Sequence, residues 1–316
     1  MNQNKIFVTV SRVKQLTPTI KQFELTAPNA ELGTFSAGSH VSVHMDKAGV
    51  RRAYSLISDP QQADRYSIAV LLDENSRGGS AYMHQHVNEG DSLQLSAAEN
   101  FFPLVYDRTS KHILIAGGIG ITPFLSYLYE LEREGLDYEL HYTFRDGANA
   151  AFVEELRTRV GSRLHTYDNT KGQRLEVASL IEQLPAESHV YVCGPQRLID
   201  AVIANGNRVL GEARTHFENF GEVANEGDAF EVHFRRSGFS LNVEEDESIL
   251  QAIEADGRIN IECLCRNGVC GTCETTILEG EADHRDHYLD EDEQAAQETM
   301  MICVSRAKGK RLVLDL

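Results

Sequence analysis

Four of the six cysteines in this chain lie within one stretch, Cys263-Leu-Cys-Arg-Asn-Gly-Val-Cys-Gly-Thr-Cys-Glu-Thr-Thr276. Three of them are spaced Cys-x4-Cys-x2-Cys, and the last cysteine of the chain follows after a longer interval. This is the spacing of plant-type 2Fe–2S sites, in which four thiolates hold two irons. The sequence therefore predicts an iron–sulfur cluster with the ligands Cys265, Cys270, Cys273 and Cys303.

Other uses of these cysteines are a structural zinc site, a disulfide framework or buried free thiols. Zinc sites usually pair two Cys-x2-Cys knuckles, and this chain has one such pair. Disulfides are not expected in a chain of this length without a secretion signal. Cys263 stands outside the spacing and is predicted to be a small packing residue. Gly268 and Gly271 are expected to let the loop bend, with Cys303 on an apolar strand beside it.

Length and composition set the broad class. The chain has 316 residues, enough for two or three domains, and is 41% hydrophobic and 25% charged, as in ordinary globular proteins. It has no long apolar run that would span a membrane, and its first residues lack a signal-peptide layout, so a cytoplasmic location is expected. The net charge of −18 argues against a nucleic-acid partner. It is open to two interpretations, solubility or an acidic docking face for a basic protein partner.

The first third of the chain, residues 1–106, is predicted to be all-β. Apolar and polar residues largely alternate in Ile6–Val13, Ile20–Leu25 and His40–Met45, and turn residues separate these segments. Many short strands at this spacing indicate a small barrel or sandwich.

Two segments of this region predict a ligand site. In one strand, Arg52 and Tyr54 would share a face, and a cation beside an aromatic ring suits a planar anionic ligand. Further on, Arg77 and the turn Gly78-Gly79-Ser80 precede a predicted helix. The N-terminus of such a helix, with its free backbone N–H groups, is a typical phosphate site.

The middle third, residues 107–224, is predicted to alternate strands and helices around a parallel sheet. A strand ends in the turn Gly117-Gly118-x-Gly120, after which Thr122 is predicted as the N-cap and Pro123 as the first residue of a helix. A second strand ends in Cys193-Gly-Pro195. Ligands bind at the carboxyl ends of parallel strands, so two such turns indicate a nucleotide site, although one tight glycine turn alone is also compatible with a structural role.

The last third, residues 228–316, follows a polar linker at Gly221–Asp228. It opens with a hairpin pattern at 229–234 and 239–243, continues through a predicted helix at Ser248–Asp256 and the cysteine loop, and ends in the strand pattern Arg311–Leu316. The acidic run Leu289–Glu298 is predicted to be a solvated helix.

The whole chain resembles the phthalate dioxygenase reductase family in the order of its motifs. These are Arg52-Ala-Tyr-Ser-Leu56, Gly78-Gly-Ser80, Gly117-Gly-Ile-Gly-Ile-Thr-Pro123, Cys193-Gly-Pro195, His216-Phe-Glu-Asn-Phe220 and the cysteine loop. The resemblance implies three domains. They are an antiparallel β-barrel for FMN at 1–106, an α/β parallel-sheet domain for NAD at 107–224 and a β-grasp plant-type ferredoxin domain at 228–316.

The resemblance also implies which residues hold the cofactors. The expected FMN residues are Arg52, Tyr54, Ser55, Val70, Gly79, Ser80 and Phe220. The expected NAD residues are Gly117, Gly118, Thr122, Asp168, Cys193, Gly194 and Pro195. Asp168 would accept ribose hydroxyls and so favours NADH, whereas Arg145 nearby is of the type that meets the 2′-phosphate of NADPH.

The implied function is electron transfer from NADH through FMN and the 2Fe–2S cluster to an external Rieske-type oxygenase. The flavin links a two-electron donor to a one-electron cluster, and plant-type clusters near about −400 mV lie below Rieske centres at about −150 mV or above. Within the family, three C-terminal segments are most similar to reductases of the carnitine monooxygenase type, with vanillate O-demethylase reductases as the alternative. Those segments are Glu262–Thr275, Glu279–Asp286 and Lys308–Leu316. A haem-protein acceptor, and an electron-carrier module without flavin chemistry, are the other hypotheses.

Overall fold

The computed structural model describes residues 6–27, 32–45, 50–73, 78–221 and 225–316, which include every expected cofactor residue. Arg77 and part of the predicted linker, 222–224, lie outside the described residues. Contacts divide the chain into two compact units, 1–220 and 221–316. The predicted fold class is confirmed in its antiparallel, parallel and mixed sheets. The predicted domain boundaries stay a prediction.

The N-terminal part of the first unit is an antiparallel sheet. Its strands are β1 (Ile6–Thr17), β2 (Ile20–Thr26), β3 (His40–Met45), β4 (Val50–Ser55), β5 (Arg65–Leu71) and β6 (Ser92–Leu95), in the order β4-β3-β6-β1-β2-β5. Helix α1 (Gly79–His86) packs on β4 and β5. Alternating side chains such as Val8, Val10, Phe23 and Leu25 fill the core of the sheet, because successive residues of a strand point to opposite faces.

A parallel sheet follows in the same unit. Its strands are β7 (Lys111–Gly117), β8 (Asp137–Phe144), β9 (Leu164–Asp168), β10 (His189–Cys193) and β11 (Thr215–Glu218), in the order β11-β10-β7-β8-β9. The helices are α2 (Thr122–Glu134), α3 (Val153–Val160), α4 (Val177–Glu182) and α5 (Gln196–Val209). One core lies between α2, α3 and the sheet and also includes Phe102 and Leu104, while α4 and α5 pack on the opposite face.

The predicted N-cap role of Thr122 is wrong. Residues Gly118–Ile121 form a 3-10 turn that runs directly into α2, so Thr122 is already helical, with φ −61° and ψ −46°. Its hydroxyl donates to the carbonyl of Ile119 at 3.0 Å and does not cap a backbone N–H group. The helix has no need of a side-chain cap there, because the glycine turn itself continues its backbone path.

In the part that the structure describes, the second unit contains a five-stranded mixed sheet, a two-stranded sheet and two helices. Its strands are β12 (Phe230–Phe234), β13 (Phe239–Val243), β14 (Glu274–Glu279), β15 (Ala282–Asp283), β16 (Thr299–Met301), β17 (Arg306–Ala307) and β18 (Arg311–Leu314). The helices are α6 (Ile249–Asp256) and α7 (Glu291–Ala296). Helix α6 begins with a capping box, in which the Ser248 hydroxyl accepts from Gln251 N at 3.1 Å and the Gln251 side chain accepts from Ser248 N at 2.8 Å.

The main sheet of this unit has the order β13-β12-β18-β14-β16, with β12 and β18 parallel, and β15 pairs with β17 in the two-stranded sheet. Cys303 was expected on a strand, and this is wrong, because β16 ends at Met301 and Cys303 lies in the turn that follows. In a turn, the direction of the Cys303 side chain is not set by the alternation of side chains between the two faces of a sheet. Among the described residues, no helix combines the length and the apolar character needed to cross a bilayer.

Candidate functional site

The cysteine loop brings its sulfurs together in the second unit. The Sγ atoms of Cys263, Cys273 and Cys303 all lie within 4.8 Å of one another, and the thiol of Cys265 interacts with those of Cys270 and Cys303. Each of the five thiols therefore has at least one other thiol as a neighbour. Such a set of soft sulfur ligands fits a 2Fe–2S cluster, which needs four of them.

Glycine is required at two positions of this loop. Gly268 has φ +69° and Gly271 has φ +73°, a region that side chains disfavour. A Cβ atom on Gly268 would lie 2.7 Å from Val304 Cγ2, and one on Gly271 would lie 2.3 Å from the ring of Tyr288. The loop is thus wrapped closely by the chain around it, which fixes the direction of the thiols.

Donors and a cation point at the sulfurs. The backbone N–H groups of Asn267 and Val269 donate to Cys265 Sγ at 3.4 and 3.5 Å. The neighbouring thiols of Cys270 and then Cys303, together with these backbone groups, lower the pKa of the Cys265 thiol, while burial acts in the opposite direction. Arg266 pairs with Glu254, at 3.0 Å between Nη1 and Oε2, and its positive charge interacts with the Cys263 and Cys303 thiols. Thiolate is the ligand form of cysteine, and the backbone N–H donors and the cation stabilise negative charge on sulfur.

Cys263 lies closer to the cluster residues than the spacing indicates. Its Sγ atom lies within 4.8 Å of those of Cys273 and Cys303, and the residue is 8% exposed, among apolar residues of the core. Proximity therefore does not separate the four predicted ligands from the fifth thiol. The prediction that Cys263 is a packing residue rests on the spacing alone.

A second set of predicted residues meets where α1 approaches β4. A Cβ atom on Gly79 would lie 2.7 Å from Arg52 Cγ, so the glycine turn rests directly on the arginine side chain. Val70 is fully buried on the neighbouring β5, and its carbonyl is 2.9 Å from His84 Nε2 of the helix. The Ser80 hydroxyl accepts from Asp73 N at 3.1 Å. The strand arginine and the helix N-terminus thus form one cradle.

Three polar atoms of β4 are buried and have no hydrogen-bond partner among the described residues. They are Arg51 Nη2 and the two hydroxyl oxygens Tyr54 Oη and Ser55 Oγ. Burial raises the pKa of Tyr54, with the Arg52 charge acting in the opposite direction, so the phenol stays protonated. An unpartnered buried hydroxyl costs about 1–3 kcal/mol, and a bound ligand with polar edges removes that cost. The cradle and these two hydroxyls fit a flavin mononucleotide.

Phe220 stands apart from this cradle in sequence, at the end of the first unit. Its ring is 43% exposed, which is unusual for phenylalanine. An exposed aromatic ring is suited to stacking on a planar group.

The two predicted glycine turns of the parallel sheet are in direct contact. A Cβ atom on Gly194 would lie 2.8 Å from Gly117 Cα, and one on Gly117 would lie 2.5 Å from Pro195 Cδ. Gly118 has φ +56° and open space around it. Adjacent strands β7 and β10 end here, so their carboxyl ends form a crevice of the kind that binds nucleotides. Thr122 lies at the start of α2 just behind this turn.

Asp168 ends β9 at the same edge of the sheet, two strands from β7 and so about 10 Å away. It lines a cavity of about 560 Å³ together with Phe144, Gly147 and Lys171. Its carboxylate accepts from Thr170 N at 3.0 Å and from Thr170 Oγ1 at 2.6 Å, and it pairs with Lys171 Nζ at 3.2 Å. These hydrogen bonds lower the pKa of Asp168. Arg145 is exposed one residue beyond β8.

Glu218 was not singled out from the sequence. It lies opposite Cys193 in the β10–β11 pair, and its Oε2 atom is buried with no hydrogen-bond partner in the described part of the chain. Burial raises its pKa to about 8, and burial together with this neighbour raises the pKa of the Cys193 thiol. A perturbed carboxyl group in a crevice is typical of a functional site. The sequence offered one signal for Glu218, which is an acidic residue in a short strand pattern two positions before Phe220.

Comparisons with known proteins agree with this geometry. A model of a 2Fe–2S iron–sulfur cluster binding domain matches residues 232–308. The carnitine monooxygenase reductase subunit of Escherichia coli K12 is 48% identical over 314 residues, 98% of each chain. The β subunit of the haem-dependent oxidative N-demethylase of Ectopseudomonas mendocina is 47% identical over 311 residues, also 98% of each chain.

A solved structure has the same architecture throughout. Phthalate dioxygenase reductase, described as a modular structure for electron transfer from pyridine nucleotides to a 2Fe–2S centre, is 37% identical. It aligns with a TM-score of 0.77 over 99% of this chain and 98% of its own. The chain therefore belongs to the phthalate dioxygenase reductase family and is an oxidoreductase with a flavin and a 2Fe–2S centre.

Proposed function

We propose that this chain is the NADH-dependent reductase component of a carnitine monooxygenase, with a Rieske-type oxygenase as its protein partner. The observation that carries the proposal is its similarity, along the full length, to a carnitine monooxygenase reductase subunit. The product of the complete system would be trimethylamine. A protein that draws on NADH and keeps a loop of reduced thiols belongs in the reducing cytoplasm.

In the first unit, the residues around Arg52 bind and orient FMN. Bound FMN would supply the chemistry that links a hydride donor to one-electron transfer through the 2Fe–2S cluster. Arg52 supplies positive charge, Tyr54 and Ser55 supply the unpartnered hydroxyls, and Gly79 leaves the N-terminus of α1 open to a phosphate. Val70 and Ser80 complete the pocket, and the exposed ring of Phe220 is available for stacking.

The crevice of the parallel sheet binds NADH. Gly117 and Gly118 allow the backbone to approach the pyrophosphate, with Thr122 behind them, and Cys193, Gly194 and Pro195 border the nicotinamide. Asp168 faces the ribose at the outer end of the site. Because Thr170 and Lys171 already engage its carboxylate, ribose binding would share or replace those contacts.

Glu218 holds a proton beside Cys193 at neutral pH, because its raised pKa is about 8. A protonated carboxyl group donates one hydrogen bond, whereas a carboxylate only accepts. We assign Glu218 to the nicotinamide side of the crevice, where a neutral donor orients the carboxamide without adding charge.

The second unit holds the cluster with Cys265, Cys270, Cys273 and Cys303. Its loop backbone donates hydrogen bonds to sulfur, and Arg266 offsets the negative charge of the thiolates. The chain as a whole carries a net charge of −18. Such a charge attracts a basic surface of a partner protein toward the reductase. This attraction weakens when salt is added.

A haem protein is the second candidate acceptor. The β subunit of a haem-dependent oxidative N-demethylase is 47% identical to this chain, one percentage point below the carnitine relative. The cofactor residues do not discriminate between these acceptors, because the acceptor is recognised by the protein surface.

Coupled turnover tests the proposal. The holoprotein is mixed with NADH, oxygen, L-carnitine and a purified Rieske oxygenase of the carnitine type, and trimethylamine is quantified. We expect product that depends on this chain. The Cys270→Ser variant should deliver no electrons to the oxygenase while NADH still reduces its flavin.

Three other outcomes are informative. Rapid NADH-driven reduction of cytochrome c without formation of trimethylamine would support the reductase assignment. It would also indicate a different partner, either a vanillate-type oxygenase or a haem N-demethylase. Normal turnover with Cys270→Ser would contradict the cluster as the exit path. If the wild type neither supports trimethylamine formation nor reduces cytochrome c with NADH, the chain would be an electron-carrier module without flavin chemistry.

A further inference from the structure

Three potential ligand residues share one face of the parallel sheet, away from both predicted cofactor sites of the first unit. His141 of β8 is directly paired with His165 of β9, and Glu139 precedes His141 by two positions on the same face. One ligand atom from each residue lies within 4.8 Å of those of the other two. We call Glu139, His141 and His165 the sheet-face triad.

His141 is arranged as a metal-ligating histidine. It is 3% exposed, and its Nδ1 atom lies 3.0 Å from Tyr167 Oη. Its Nε2 atom is buried and has no hydrogen-bond partner among the described residues. When Nδ1–H donates to the tyrosine oxygen, the lone pair of Nε2 points into the triad. Metal-bound histidines typically use such a partner to fix the ring and its tautomer.

Glu139 divides its two carboxylate oxygens between a cation and the histidine. Oε1 accepts from Lys111 Nζ at 2.7 Å, and Oε2 lies 3.5 Å from His141 Nε2. One oxygen is therefore held by Lys111, and the other faces His141. In tetrahedral coordination with bonds of about 2.0–2.1 Å, two ligand atoms are about 3.3 Å apart. The Glu139–His141 edge already has nearly this length.

His165 completes the triad from the edge strand. Its ring stacks on His141 with centroids 4.7 Å apart and planes 15° apart, and it is half-buried. The ligand atom of His165 lies within 4.8 Å of those of Glu139 and His141, so one ion bound by all three residues would draw the half-buried His165 ring closer to them.

We propose that the sheet-face triad of Glu139, His141 and His165 is a binding site for one divalent transition-metal ion of the zinc type. Two imidazoles and one carboxylate are a ligand set that zinc accepts. The ion joins edge strand β9, which ends at Asp168, to β8. Binding therefore stabilises the outer wall of the nucleotide crevice.

Zinc titration of the holoprotein tests this proposal, with Zn²⁺ measured by competition with a chromophoric chelator. We expect one Zn²⁺ per chain in the wild type and in the His233→Gln control, which changes a half-buried strand histidine in the other unit. His165→Gln and Glu139→Gln should each weaken binding at least about tenfold. Iron content and the visible absorbance of the cluster are followed, so that zinc replacing iron is recognised.

Tyr167→Phe separates a metal site from a packed pair of histidines. It preserves the ring and all three ligands but removes the oxygen that orients His141. We expect Zn²⁺ affinity to fall about 10–100-fold, as when the hydrogen-bond partner of another metal-binding histidine is removed. Equal Zn²⁺ affinity in the wild type, His165→Gln and Glu139→Gln, or no bound Zn²⁺ in the wild type, would overturn the proposal.

Discussion

The carboxyl group of Glu218 lies beside the thiol of Cys193 because the two residues are opposite each other in neighbouring parallel strands. Both side chains are held in their neutral forms by burial, which raises both pKa values. The crevice that is predicted to receive the nicotinamide is therefore lined by groups that carry little charge at neutral pH.

The first prediction concerns Glu218 and pH. Its pKa is raised by burial to about 8 in the folded protein, from an ordinary 4.5. Above pH 4.5 the unfolded chain releases this proton and the folded chain keeps it, so stability falls as pH rises toward 8. Glu218→Gln removes this titration, so its free energy of unfolding relative to the wild type should rise by on the order of 3–4 kcal/mol between pH 5 and pH 8.

Urea unfolding at several pH values measures this effect. Glu212→Gln, at an exposed glutamate three residues before β11, is the matched control and should show the same pH profile as the wild type. A constant difference between Glu218→Gln and the wild type at all pH values would show that the carboxyl group is ionised in the fold.

The second prediction concerns a stack of histidines at the other end of the same strands. His189 Nδ1 lies 3.0 Å from His216 Nε2, and the His216 ring stacks on Tyr191 with centroids 4.5 Å apart. Burial, followed by repulsion from His189 and His112, lowers the pKa of His216 to about 4. The unfolded chain takes up protons below pH 6.5 and the folded one does not, so stability is lost as pH falls from 6.5 to about 4.

His216→Phe keeps an aromatic ring on Tyr191 and removes the titrating group. Its free energy of unfolding should depend less on pH in this window, by on the order of 2 kcal/mol between pH 6.5 and 4.5. His86→Phe, at an exposed histidine of the same unit, should leave the pH dependence unchanged. An acid loss of stability equal in the wild type and His216→Phe would contradict the prediction.

Most of the fold could be predicted from local patterns in the sequence, and two elements show the physical reason. The strand His40–Met45 has the predicted bounds, and the cysteine loop was found because its ligands are close in sequence. Thr122 was misassigned as a cap, because a preceding turn of Gly118–Ile121 is itself helical and its sequence resembles a loop.

Residues whose role depends on contacts with neighbouring strands were not predicted from the sequence. Glu218 gains its raised pKa from burial beside β10, and His141 gains its position from its pairing with His165. Neither neighbour is close in sequence. The edge strand β9 was also missed, since Leu164–Tyr167 are all half-buried and give no clear apolar alternation.

The third prediction separates the five clustered thiols. The spacing predicts that Cys263 is not a ligand, although its Sγ atom lies within 4.8 Å of those of Cys273 and Cys303. Cys263→Ala should therefore retain the full iron content and visible absorbance, whereas Cys270→Ala should lose both. A cluster that is lost in Cys263→Ala and retained in Cys270→Ala would reverse the assignment of these two residues.

The last prediction concerns the flavin cradle. A methyl group on Gly79 would lie 2.7 Å from Arg52 Cγ, an atom near the start of the arginine side chain that cannot move without moving the whole side chain. Gly79→Ala should therefore displace Arg52 and weaken FMN binding about 10–100-fold, a loss of about 1.4–2.8 kcal/mol. Flavin fluorescence on dilution of the holoprotein measures this affinity.

Gly309→Ala is the matched control, because a Cβ atom there meets no atom within 4 Å and its backbone needs no positive φ. It should bind FMN like the wild type. A Gly79→Ala protein with unchanged FMN affinity would place the phosphate away from the N-terminus of α1. Normal cluster absorbance in the same sample would show that the second unit is intact, so a loss of flavin can be assigned to the cradle.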